Sequence, residues 1–347
     1  GDEANPDCEG DTDGSATASA SGGSGPYTYA WSDGQTGATA TGLSAGTFSV
    51  TATDVNGCEA TASIVLTDPT GIQALIASSS DVSCFGGSDG SATVVANGGT
   101  TPYSFLWSDG QTTATASNLS AGEYLVTVTD ANGCQAVALV EIEEPTLLIA
   151  EMISSTDESC FNGDDGTATV NATGGTTDYE YLWSDGQTTA TATGLSAGTV
   201  YTVTVTDDNG CEATANVSIG QPRRLLVGGT GTDVSCNGGS DGSADLTVSG
   251  GTTPYDFSWN NGAGVVEDPQ NLSAGTFEVL VTDSASCTAT ASIEIKQPDP
   301  ILLEHESDNP ACHGGSDGSI DLSVTGGTFP FIFSWSNDNG GEEDQVN

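Results

Sequence analysis

One cysteine and one tryptophan recur along this chain with a single fixed step. The cysteines are Cys8, Cys84, Cys160, Cys236 and Cys312, and the tryptophans are Trp31, Trp107, Trp183, Trp259 and Trp335, each series advancing by 76 residues. Every Trp lies 23 residues after its Cys. A period this strict means one structural unit copied in tandem, so the fold to be explained is that of a small domain. A unit of that size buries a marginal core and is expected to need a staple. Prolines at Pro69, Pro145, Pro222 and Pro298 each follow a second cysteine by 11 residues. They place the borders, because a missing N–H and a fixed φ end one sheet before the next begins. The units read as 1–69, 70–145, 146–222, 223–298 and 299–347, with the last cut short. The first unit has only seven residues before Cys8, so it is expected to lack its first strand.

Inside a unit the side chains alternate with the period of a strand. Val94 and Ala96, Val170 and Ala172, and Leu246 and Val248 mark one face of an early strand. Three aromatics then stand at alternate positions: Tyr27/Tyr29/Trp31, Tyr103/Phe105/Trp107, Tyr179/Tyr181/Trp183, Tyr255/Phe257/Trp259 and Phe331/Phe333/Trp335. A later strand carries Tyr124/Val126/Val128 and its counterparts on one face and threonines on the other. Period-two patterning with Gly-Gly, Asp-Gly and Asn-Gly turns reads as all-β structure. About seven short strands per unit, in Cys…Trp…Cys order, predict a tandem array of small immunoglobulin-like β-sandwiches. The aromatics read as the sandwich core, with a sugar-stacking platform as the alternative. The Trp, at the strand end, is expected to be the most exposed of the three.

The second cysteines are Cys58, Cys134, Cys211 and Cys287, lying 50 or 51 residues after the first. Zinc-type CxxC spacing and clustered histidines are absent, which leaves disulfides and hence an oxidising, extracytoplasmic compartment. The even spacing predicts bridges inside each repeat: Cys8–Cys58, Cys84–Cys134, Cys160–Cys211 and Cys236–Cys287, with Cys312 left over. Each such loop would stabilise its domain by about 4 kcal/mol in the chain-entropy model. It would also lock the residues between the cysteines against pulling.

With 48 acidic residues against Arg223, Arg224 and Lys296, the net charge is −45. That field repels phosphate backbones and anionic lipid, which excludes nucleic acid as a partner. Catalysis finds no support, since His305 and His313 stand alone in the last unit and no nucleophile–base set repeats. A single lysine excludes Lys–Asn isopeptide staples as a general device. Ca²⁺ is the one cofactor to weigh, on Asp7, Glu9, Asp11 and Asp13, the densest local acidic cluster. No EF-hand run is present, and Asp-Gly pairs more commonly build Asx turns, so folding is expected to require no metal.

The motif C-x-G-x-x-DG-S-A, then GGTTPY-x-F-x-W-SDGQTT, then LSAG-x-Y-x-VTVTD-x-NGC resembles the SprB-type repeat of Bacteroidetes surface adhesins, in five copies across the chain. The resemblance implies a very large cell-surface protein exported by type IX secretion. Its repeats would form outer-membrane-attached filaments for adhesion and gliding motility. It implies as partners the neighbouring repeats, surfaces or polysaccharides, and the outer-membrane motility and secretion machinery. A polysaccharide-binding module array and a self-assembling extracellular fibre subunit are the competing readings. A secreted chain needs an address, so Gly1–Asn347 is expected to be an excerpt or a processed piece. Asp283-Ser284-Ala285 fits the Asp-Ser/Thr-aliphatic O-glycosylation pattern associated with Bacteroidetes and makes Ser284 a candidate acceptor.

Overall fold

A computed structural model describes residues 2–336 and 345–346, and every regular element among them is a strand. Two compact units are formed, one of Gly1–Ala150, Ala172–Tyr181 and Thr204–Thr214, the other of Glu151–Asn171, Leu182–Val203 and Ala215–Asn347.

The first repeat holds β1 (Asp2–Ala4), β2 (Gly14–Thr17), β3 (Thr28–Trp31), β4 (Thr39–Leu43), β5 (Gly46–Thr53) and β6 (Glu59–Leu66). The second holds β7 (Gln73–Ser80), β8 (Gly90–Asn97), β9 (Ser104–Trp107), β10 (Thr115–Leu119), β11 (Gly122–Thr129) and β12 (Gln135–Ile142). The third runs β13 (Ile149–Thr156), β14 (Gly166–Thr173), β15 (Tyr179–Trp183), β16 (Thr191–Leu195), β17 (Val200–Asp207) and β18 (Glu212–Ser218). In the fourth lie β19 (Leu226–Thr232), β20 (Gly242–Ser249), β21 (Tyr255–Trp259), β22 (Gln270–Leu272), β23 (Gly275–Asp283) and β24 (Thr288–Ile295). The fifth shows β25 (Leu302–Asp308), β26 (Ser319–Thr325) and β27 (Gln345–Val346). Six strands, rather than seven, make a repeat. The first repeat keeps its first strand, shortened to three residues that pair with β2. Pro69, Pro145, Pro222 and Pro298 all lie in the strand-free segments between repeats.

In the second repeat the strands form two antiparallel three-stranded sheets, β10-β8-β7 and β12-β11-β9. The same order recurs as β1-β2-β4 with β3-β5-β6, and as β19-β20-β22 with β21-β23-β24. Each sheet turns one side inward. Ala92 and Val94 of β8 meet Trp107, Val126, Val128, Val140 and Ile142 of the facing sheet, and Val95, next in the alternation, points out. This is the immunoglobulin-like sandwich with the inward/outward alternation its pattern requires.

The tryptophan is the centre of that core. Trp107 is 1% exposed and Trp183 is 1%, whereas the preceding aromatics are half-buried. The expectation that Trp would be the most exposed of the three is therefore reversed. The cause is register: β9 is four residues long and pairs with half of β11, so Trp107 faces Val126 mid-sheet. Its indole N–H donates to the Thr113 carbonyl at 2.9 Å, satisfying its one polar atom. Asp109-Gly110 follows as a tight turn, but the strands it joins, β9 and β10, belong to different sheets. Gln111 fixes this crossing: its side chain donates to Asp109 Oδ2 (2.7 Å) and to the Ser117 carbonyl (2.9 Å), and accepts from the Ser117 N–H (3.0 Å). Gln35 and Gln187 repeat the arrangement, which explains the recurring Asp-Gly-Gln. The first aromatic holds the Gly-Gly turn, Tyr103 Oη donating to the Gly98 carbonyl at 2.5 Å.

Candidate functional site

Strand direction decides where the cysteines go. Gly90 pairs with Leu119, and Gly122 with Ile142, so these four residues mark one end of the second sandwich. Gln73 pairs with Asn97, and Thr129 with Gln135, at the other end. Cys84 sits in the β7–β8 loop at the first end, where Val82 N–H donates to the Glu143 carbonyl. Cys134 sits in the β11–β12 turn at the second. An eight-residue strand separates them by roughly 26 Å. A disulfide requires Cα atoms about 4.4–6.8 Å apart, so the bridge Cys84–Cys134 does not form.

The bridges run between repeats instead. Cys8 bonds Cys134, Cys84 bonds Cys211 and Cys160 bonds Cys287, with Cα–Cα distances of 5.6, 5.7 and 5.6 Å. The predicted pairs Cys8–Cys58, Cys84–Cys134, Cys160–Cys211 and Cys236–Cys287 are corrected accordingly. The first cysteine of one repeat joins the second cysteine of the next. Cys58, Cys236 and Cys312 carry free, exposed thiols.

Both cysteine-bearing loops are held by a carboxylate. In the β11–β12 turn Asp130 is 6% exposed; its Oδ1 accepts from the N–H groups of Asn132 and Cys134 (2.9 Å each), and its Oδ2 from Thr100 N–H (2.8 Å). Asp207 and Asp283 take the same three positions in the third and fourth repeats. In the loop carrying Cys84, Asp89 accepts from the N–H and hydroxyl of Ser83, at 3.0 and 2.5 Å. Asp165 does likewise with Ser159. These donors hold the carboxyls below the ordinary value of 3.8: Thr100 N–H first for Asp130, Cys58 N–H first for Asp54, and the serine hydroxyl first for Asp89 and Asp165. For Asp207 burial pushes upward most strongly, yet the N–H groups of Thr176, Cys211, Asn209 and Gly210 together outweigh it.

The turn also reaches across the junction. Asn132 Nδ2 donates to the Asp7 carbonyl at 3.1 Å, and Asn209 Nδ2 to the Ser83 carbonyl at 3.0 Å, each beside the disulfide. The Asn-Gly pair thus makes the hairpin and pins the preceding repeat. Its second role has no local sequence signature, because the partner lies 125 residues away.

Other candidate residues fall differently. Asp7, Glu9, Asp11 and Asp13 are not gathered: Asp13 Oδ1 accepts from Asp7 N–H at 3.1 Å, and among the described residues no three His, Cys, Asp or Glu groups converge as cation ligands. Ser284 is exposed, and its hydroxyl lies within bonding distance of the Thr252 (3.0 Å) and Thr253 (3.1 Å) carbonyls. Tyr124 Oη donates to the Ser120 carbonyl at 3.1 Å, the bond of a tyrosine corner, whereas Tyr201 Oη accepts from Ser196 N–H at 2.9 Å.

Among solved structures, the chain is similar to the N-terminal eight Ig domains of Down Syndrome Cell Adhesion Molecule at 14% identity, with a TM-score of 0.28, covering 88% of this chain and 48% of that one. It thus spans about half the length of that eight-domain chain. A tetra-tandem repeat from the extending region of a large adhesion protein is similar at 13% identity and a TM-score of 0.27, covering 84% and 97%. No curated protein matches. The model of the SprB repeat matches residues 2–36, 76–112, 153–188, 228–264 and 306–340, just over half the chain. Five copies with one bridged junction geometry make this an extracellular structural or adhesive repeat segment, and the chain belongs to the SprB repeat family.

Proposed function

We propose that this segment is a load-bearing stretch of a long filament attached at the outer membrane, which holds a cell to surfaces or polysaccharides and serves gliding movement. The observation that carries the reading is the set of bridges joining consecutive repeats. Tension passes from one repeat to the next through covalent bonds, so the hydrogen-bonded sheets are not peeled in series. The resemblance to gliding adhesins supports the role in movement and makes the outer-membrane motility and secretion machinery the expected partners. An array of aromatic sugar platforms fits less well, because Trp31, Trp107, Trp183 and Trp259 are all buried.

The test is made in cells that display the chain. Replacing Cys134, Cys211 and Cys287 with Ser is expected to leave the amount displayed and the static attachment unchanged. The shear needed for detachment should fall. Detachment at the same shear as the unmodified chain would overturn the load-bearing role.

A further inference from the structure

The junction of the third and fourth repeats differs from the others in charge. After the border proline the residues are Thr70-Gly71, Thr146-Leu147, Arg223-Arg224 and Asp299-Pro300. Two of the three cationic side chains of a chain with 48 acids therefore stand side by side at one junction. They line an open cleft of about 610 Å³ whose walls include the Cys160–Cys287 bridge, Phe161, Ser286 and Thr288. Both arginines are exposed, and neither guanidinium has a hydrogen bond or ion pair among the described residues; the one ion pair there is Lys296–Glu294. The junction's buried carboxylates are already committed. Glu158 accepts from the N–H groups of Ala197 and Gly163, and Asp283 from those of Thr252, Ala285 and Cys287. The asparagine that pins the other junctions is Ala285 here, so no amide reaches across the cleft.

We infer that this cleft binds an acidic sugar residue, one whose ring carries a carboxylate or sulfate. A guanidinium pairs bidentately with such a group, and two adjacent ones select for negative charge against the field of the whole chain. Phe161, 43% exposed at the cleft, supplies an apolar face for the sugar ring. A long polyanion such as a nucleic acid would have to lie along the acidic surface and is disfavoured, whereas a single charged ring needs only the cleft. One such site among near-identical junctions would give the segment a point of chemical selectivity, independent of how it bears load.

Calorimetry of the intact, oxidised 347-residue chain at 150 mM salt tests the site. The probes are a galacturonate tetramer, a sulfated galactose tetramer, the neutral galactose tetramer and a hexaglutamate peptide. The acidic sugars are expected to bind and the neutral one not, with the better of the two acidic probes identifying the anionic group. Arg223→Gln with Arg224→Gln should weaken binding at least tenfold and Phe161→Ala about fivefold, while Lys296→Gln leaves it unchanged. Melting curves confirm that these exposed substitutions leave the fold intact. Equal binding of the neutral sugar, no binding of either acidic sugar at 10 mM (on the order of the weakest useful affinity), or full binding by the double-arginine variant would overturn the assignment. Hexaglutamate binding as tightly as the sugars would instead make the ligand an acidic peptide and overturn it as well. None of these outcomes bears on the shear test of the cysteine variants.

Discussion

Pulling on the oxidised chain should release little of the length between Cys8 and Cys287. Cys287 lies 279 residues after Cys8, a span that at about 3.5 Å per residue stretches to about 980 Å when the thiols are reduced. With the bridges closed, the shortest covalent route runs from Cys8 to Cys134, along the chain to Cys160, and across to Cys287. It contains 26 residues and two bridges of 5.6 Å, about 100 Å in all. The assay is single-molecule stretching through handles at the chain ends, oxidised and reduced, where the flanks outside Cys8–Cys287 cancel. The reduced chain is expected to be longer by about 880 Å. Bridges within repeats would leave 77 residues of route and a difference of about 690 Å, a result that refutes the reasoning. Two variants sharpen it. Cys211→Ser removes a bridge that is not on the shortest route and should change nothing. Cys134→Ser diverts the load onto a route of 127 residues and should lengthen the oxidised chain by about 350 Å.

Three further outcomes are expected. The carboxyls of Asp54, Asp89, Asp130, Asp165 and Asp207 are depressed in the folded state, so the stability they supply is complete above the unfolded value of 3.8 and is lost as pH falls through the folded values. Melting temperature should hold from neutral pH to about 5 and drop below about 4, and an Asp130→Asn, Asp207→Asn variant should start lower and fall less steeply; circular dichroism melts check both. Trp107→Ala empties the centre of the second sandwich and should cost about 3–5 kcal/mol in denaturant titration, and a loss below about 1 kcal/mol would contradict its place in the core. EDTA should leave the melting temperature of the oxidised chain unchanged, whereas a fall of several degrees would make Asp7, Glu9, Asp11 and Asp13 cation ligands.

Much of the fold is legible in the sequence because it is local. Val94 and Ala96 announce a strand face by alternation, Asn132-Gly133 announces a hairpin, and the repeat of Trp107 announces one core copied along the chain. What escapes is whatever depends on the direction of strands. Loops of 50 and 126 residues differ in closure entropy by only about 0.8 kcal/mol, so spacing does not choose between Cys8–Cys58 and Cys8–Cys134. The choice is made by the placement of the β1–β2 loop and the β5–β6 turn at opposite ends of a sandwich, which follows from pairings such as Gly14 with Leu43 and Thr53 with Glu59. The count of cysteines also misleads, since within-repeat pairing leaves one thiol over and the observed pairing leaves three. Trp107 is misread for a related reason: it ends β9, but β9 ends in the middle of the sheet. The arginine cleft is visible as Arg223-Arg224 in the sequence, yet its neighbours Phe161 and Ser286 come from distant loops.

The central claim is that each bridge joins one repeat to the next. Peptide mapping of the 347-residue chain under non-reducing conditions, with free thiols blocked before digestion, tests it directly. Linked peptides are expected for Cys8 with Cys134, Cys84 with Cys211 and Cys160 with Cys287, with blocked thiols at Cys58, Cys236 and Cys312. Linked peptides joining Cys8 to Cys58, Cys84 to Cys134 and Cys160 to Cys211 would contradict the account.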